Sequence, residues 1–136
     1  MQDVRHARLM LTMAEMDLQA VGNMRDPRQF ADSIFGFHVQ QAAEKLLKAW
    51  LSLAGTAYPR THDLRLLLAL VAEQDSKDIE AFQDLEDLTD YGVQFRYDAP
   101  FDLEPLDRME LIARIGALHR LVTDRLQSAD PQADAG

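Results

Sequence analysis

The chain has 136 residues, 23 acidic against 14 basic, a formal net charge of −9 and no cysteine. That length suits one domain around one core, the lack of thiols excludes disulfide scaffolding, thiol catalysis and cysteine-ligated zinc, and the acidity disfavours nonspecific attraction to nucleic acid or an anionic membrane. No run approaches the roughly 20 apolar residues of a membrane span, and Asp3, Arg5, His6 and Arg8 interrupt any signal-peptide core, so the expected location is the cytoplasm.

The first helix is read from Val4, Ala7, Leu11, Ala14, Leu18 and Val21, whose steps of three and four share one face, with Gly22 and Asn23 at its end. Met24 to Phe30 is a connection, and Asp32 or Ser33 is the expected cap of the second helix. That helix, from about Ser33 to Ala54, carries two adjacent apolar seams. Phe35, Val39, Ala42, Leu46, Ala49 and Leu53 form one; Ala43, Leu47, Trp50 and Ala54 form the other. So wide an apolar sector belongs at the centre of a bundle. What remains is a polar stripe: His38, Gln41, Glu44, Lys45 and Lys48. Thr61 is the expected cap of a third helix, with His62 and Asp63 in its first turn and Leu64, Leu67, Leu68 and Val71 buried. A fourth helix starts near Asp75 or Ser76, runs through Phe82, Leu85 and Leu88 towards Phe95, and ends at the loop around Pro100. The fifth spans about Pro105 to Gln127 and buries Leu111, Ile115, Leu118 and Val122. Residues 128–136 lack an apolar period and read as a disordered tail. With no period-two run and no repeat, the expected fold is all-α: an antiparallel up-and-down bundle of four to five helices over residues 1–127.

Several chemistries have no support. There is no glycine-rich phosphate loop and no His-Glu-x-x-His helix, and the nearest thing to a di-iron motif is Asp3-x-x-His6 at the terminus, so neither metal nor cofactor is expected. The stripe on helix two has two readings. His38, Gln41, Lys45 and Lys48 could hold a phosphate and a base, or they could form a solvated face on which Glu44 and Lys48 pair at i,i+4. Arg96, between Phe95 and Tyr97, could clamp a phosphate, pair with Asp98 or take a structural role at a helix end. His62 is either structural or a general base. Arg114 and His119 stand five residues apart in one helix. Five steps of about 100° separate their side chains by roughly 140°, so they diverge within one chain and could meet only across two.

The segment Phe37-His38-Val39-Gln40-Gln41-Ala42-Ala43-Glu44-Lys45-Leu46-Leu47-Lys48-Ala49-Trp50-Leu51 resembles the long second helix of HEPN domains. Pro59-Arg60-Thr61-His62-Asp63-Leu64 is similar to that family's opening of the next helix, Thr-His, then Asp or Ser, then Leu. Phe95-Arg96-Tyr97 is similar to its Arg-Tyr-Pro segment, with Asp98 in place of the proline. The resemblance implies a helical bundle that commonly dimerises and is often encoded beside, or fused to, a minimal nucleotidyltransferase. The family holds both ribonuclease toxins and nucleotide-binding modules without catalysis. The ribonucleases carry an arginine, then four to six residues, then a histidine; no histidine follows Arg96 at that distance, and Arg114 to His119 meets the spacing only formally.

Together these features point to a non-catalytic homodimer that binds a nucleotide, a minimal nucleotidyltransferase partner, or both, in the manner of a toxin–antitoxin pair. His38, Gln41, Lys45, Lys48, Arg96 and Tyr97 are its expected nucleotide contacts. The dimer is expected to use apolar surface that helix two, with Trp50, has left over. The rivals are a metal-independent ribonuclease acting on RNA through Arg114 and His119, or through Arg96 with His38 or His62, and a purely structural dimerisation module.

Overall fold

The computed structural model describes residues 2–94 and 105–130. Its helices are α1 (Val4–Asn23), α2 (Asp32–Leu53), α3 (Leu64–Gln74), α4 (Ser76–Ile79), a 3-10 segment (Glu80–Leu88), α5 (Thr89–Gln94) and α6 (Arg108–Ala129). Among the described residues there is no strand, and the chain is an all-α bundle.

Apolar spacing decides which faces turn inward. Ala7, Leu11, Ala14 and Val21 of α1, Leu64, Leu67, Leu68 and Val71 of α3, and Ile115, Leu118 and Val122 of α6 are all buried. In α2 nearly the whole circumference is covered, including both seams up to Leu53. A helix apolar over so wide a sector is stable only when neighbours close round it, and α1, α3, α5 and α6 do so.

Pairings fix the directions. The Asp3 N–H donates to the Ser52 carbonyl at 2.9 Å, while Lys45 reaches back to Asp17, so α1 and α2 are antiparallel. His119 meets Glu15, and Arg108 donates to the Met24 carbonyl, so α6 runs antiparallel to α1 as well. Arg125 lies over the Trp50 ring at 4.7 Å, which puts α6 alongside α2 in the same sense.

Local departures from expectation have local causes. Neither Asp32 nor Ser33 caps α2. The helix begins at Asp32 after Ala31, which gives no side-chain cap, because the Asp32 carboxylate is taken by the Leu106 N–H at 3.0 Å and Arg108 at 2.9 Å. The cap of α3 is Asp63, which accepts from the Arg65 N–H at 3.0 Å; Thr61 instead accepts from the Asp63 N–H. His62 therefore precedes the helix rather than sitting in its first turn. The expected fourth helix is divided into α4, the 3-10 segment and α5. Asp107 caps α6, which continues to Ala129, two residues past the expected end.

Two helical glycines permit a close approach of α5 to α2. A Cβ on Gly36 would stand 2.4 Å from the Tyr91 ring, and one on Gly92 would stand 2.6 Å from the Gln40 side chain. With hydrogen in both places, α5 lies directly on α2.

Candidate functional site

The polar stripe on α2 is an organised edge rather than a row of solvated side chains. Two carboxylates hold it. Asp17, one turn beyond Met13 on α1, accepts from Lys45 Nζ at 2.7 Å and pairs with His38 Nδ1 at 3.1 Å. Glu44 is 4% exposed and gathers three donors: His62 Nδ1 at 2.8 Å, Lys48 Nζ at 3.0 Å and Gln40 Nε2 at 3.3 Å. A buried carboxylate is tolerable only when its lone pairs are satisfied in this way.

The neighbours extend the network. Gln40, fully buried, also donates to the His62 backbone carbonyl at 3.0 Å, and its side-chain Oε1 accepts from Gln41 Nε2 at 2.6 Å. Because His62 gives its Nδ1–H to Glu44, its Nε2 is left facing away from the carboxylate, on a side chain that is 61% exposed. Lys48 Nζ also stands 5.7 Å from the centre of the Tyr58 ring. The Tyr58 hydroxyl and His6 Nε2 are 2.6 Å apart, tying the α2–α3 connection to α1. Burial raises the Tyr58 pKa above its ordinary value, opposed by a hydrogen bond with Ser52 and reinforced by the charges of Asp3 and Glu44.

The structure thus brings His38, Gln41, Lys45 and Lys48 onto one edge, each already engaged by a neighbouring side chain. The pairing of Glu44 with Lys48 is the i,i+4 contact that the spacing suggests. Arg96 and Tyr97 lie outside the described residues. Three participants are absent from the sequence-derived set: Asp17, Gln40 and Glu44 in its role as a buried hub. Asp17 falls between Ala14 and Val21 in the register of α1, a position from which an acid can reach a neighbouring helix, and that is the available signal.

Arg114 and His119 point to different neighbours. Arg114 pairs with Asp84 and, at 3.2 Å, with Glu110, whereas His119 bonds to Glu15 on α1 at 2.8 Å. Their divergence is the one that the helical angle requires. Trp50 is 2% exposed, sealed beneath the Arg125 guanidinium, so α2 has no spare apolar seam for a second chain. Of the exposed large apolar side chains among the described residues, Ile34 alone lies on α2, in its first turn, while Leu9, Met13 and Met16 form a row on α1. No described group of three or more histidines or acids is arranged to hold a metal, and no described helix is long and apolar enough to cross a membrane.

The fold is that of a small all-α bundle built round a central α2 with an ordered Gln-Gln-x-x-Glu-Lys edge. The family model of the HEPN domain matches residues 7–126, and the chain belongs to the HEPN family. No curated protein and no solved structure matches it.

Proposed function

We propose that this chain is a non-catalytic, dimeric HEPN module that binds a nucleotide, a partner minimal nucleotidyltransferase, or both, the latter as half of a toxin–antitoxin pair. Family membership supports a nucleotide-binding or ribonuclease-like module. The observation that carries the nucleotide-binding half is the fixed polar edge of α2. His38 and Lys45 are held by Asp17, and Lys48 by Glu44, so the side chains are ordered before a ligand arrives. Preorganised donors bind with less loss of rotamer freedom.

The same carboxylates neutralise those cations, so the edge as it stands offers a phosphate little net attraction. Further positive charge has to come from Arg96 and from a second copy. Four peptide steps of the sequence separate Arg96 from Gly92, which sits against Gln40, a span of at most about 15 Å. In this reading Arg96 grips the phosphate bidentately and Tyr97 borders the base. The twofold contact uses the α1 row of Leu9, Met13 and Met16, which borders Asp17 and would set two edges side by side.

Within one chain Arg114 and His119 turn towards separate acids on separate elements, so a single chain does not assemble that pair. Calorimetric titration with ATP, AMP and GTP tests the proposal. Wild type binds at least one at submillimolar concentration and Arg96→Ala weakens it at least tenfold; no binding at millimolar nucleotide, with no nucleotidyltransferase recovered in pull-downs, overturns it. Labelled RNA cut in the presence of EDTA by wild type and spared by His119→Ala would establish the ribonuclease instead. Sedimentation equilibrium reads the dimer, which fails at a mass near the 15.4 kDa of one chain.

A further inference from the structure

A concavity lies away from the α2 edge, between the 3-10 segment with α5 on one side and the start of α6 on the other. It holds about 260 Å³. Its floor is apolar, made by Leu85, Leu88, Tyr91, Leu106 and Leu111. Its rim is acidic: Asp84, Asp87, Asp107 and Glu110. One cation, Arg114, lines it, and that guanidinium is spent on Asp84 and Glu110. Asp87 has no ion-pair partner among the described residues, and the Asp107 carboxylate is engaged there only by the Glu110 backbone N–H at 3.1 Å.

Phosphate, RNA and anionic lipid are repelled by such a rim, and an uncharged apolar side chain would leave Asp87 and Asp107 unanswered. The complementary occupant is apolar at its tip and cationic beside it. The volume takes one or two side chains rather than a drug-sized molecule, which suits the anchor of a peptide segment.

We infer that this cleft is a docking site for a partner protein, which inserts an apolar side chain flanked by lysine or arginine. The inference is independent of nucleotide binding, since none of its residues belongs to the α2 edge, and either reading can fail without the other. The anchor buries against the leucines, and the flanking cations pair with Asp87 and Asp107. Arg114 fixes the distance between the walls by spanning Asp84 and Glu110.

The probe is a short synthetic peptide of alternating leucine and arginine, titrated into full-length protein with labelled leucine methyl groups. Saturable shifts are expected at Leu85, Leu88, Leu106 and Leu111. Binding is expected to weaken about tenfold in Asp87→Lys and much less in Glu73→Lys, an exposed change on α3 of equal net charge. Equal loss in both variants would reduce the effect to net charge and overturn the proposal. So would equal affinity for an all-arginine peptide, which lacks the anchor, or the same methyl shifts on changing protein concentration alone, which would assign the cleft to a second copy. Asp87 is exposed and outside the core, so its replacement leaves the fold intact for the comparison.

Discussion

Two buried ions in this molecule are handled in opposite ways. Glu44 on α2 is an anion whose three donors include a histidine that is 61% exposed, so its network ends at the surface. Arg108 at the start of α6 is a cation, 6% exposed, held by two backbone carbonyls, Met24 at 2.7 Å and Phe30, and by the Asp32 carboxylate at 2.9 Å, whose side chain is 35% exposed. It also lies over the Phe35 ring at 4.8 Å. The first ion presents side chains to a ligand. The second closes the α1–α2 connection onto α6 and presents no donor, since the guanidinium itself is buried. Burial of a charge therefore separates a structural clamp from an organised edge only when the fate of its partners is followed outward.

The larger loss is expected at the Arg108 clamp. Arg108→Ala leaves two carbonyls and the Asp32 carboxylate without their donor, a loss of about 4 kcal/mol. Urea unfolding should show it as a midpoint shift at unchanged slope, and a loss under about 1 kcal/mol would remove the clamp from the account. At the other end, Glu44→Gln keeps the size but takes the anion from Lys48 and His62. Partial exposure of His62 lets water compensate, so the expected loss is smaller, about 2 kcal/mol. The histidine ring should also lose its fixed Nδ1–H tautomer, which nitrogen chemical shifts of His62 report. An unchanged tautomer would detach His62 from the Glu44 hub.

Between the two ions lies the contact of α5 with α2. Gly36→Ala drives a methyl into the Tyr91 ring and should cost about 1.5 kcal/mol despite the better helix propensity of alanine. Gly22→Ala, with open space round it, should instead gain a few tenths of a kcal/mol. Thermal unfolding of the pair checks the sign of each, and equal effects would show that close packing at Gly36 is unimportant.

The smallest effect expected is alkaline. Burial holds the Tyr58 pKa above the ordinary 10.0, so the unfolded chain ionises first as the pH climbs. The stability due to Tyr58 is complete below pH 10.0 and is lost as the pH rises through its folded value. Tyr58→Phe should flatten the fall in stability on that side, and a fall of equal steepness in wild type and variant would exclude Tyr58 as its source.

The long helices were legible because their burial is periodic: α1, α2 and α6 need only steps of three and four to expose their inner faces. The divided stretch from Ser76 to Gln94 was not. Phe82, Leu85 and Leu88 stand three residues apart, a spacing that an α-helix and a 3-10 helix share, so the apolar pattern cannot distinguish them. At the site, the stripe was visible but its counterions were not all visible. Glu44 and Lys48 are neighbours in sequence, whereas Asp17 reaches Lys45 across 28 positions, and only the packing of α1 against α2 supplies that pairing. Arg108 gave no signal at all: an arginine in the first turn of a helix reads as solvated until the connection folds over it. The proposed spare face of α2 failed for a related reason, since the width of an apolar sector does not reveal how many neighbours will cover it.

The most direct test of the contrast between organised edge and sealed clamp is ATP titrated into isotope-labelled protein and followed side chain by side chain. Saturable shifts are expected at the Gln41 amide and the Lys45 and Lys48 ammonium groups below millimolar nucleotide, with the Arg108 guanidinium silent. An edge that stays silent at millimolar ATP, or shifts no larger than those of Arg108, would contradict that contrast.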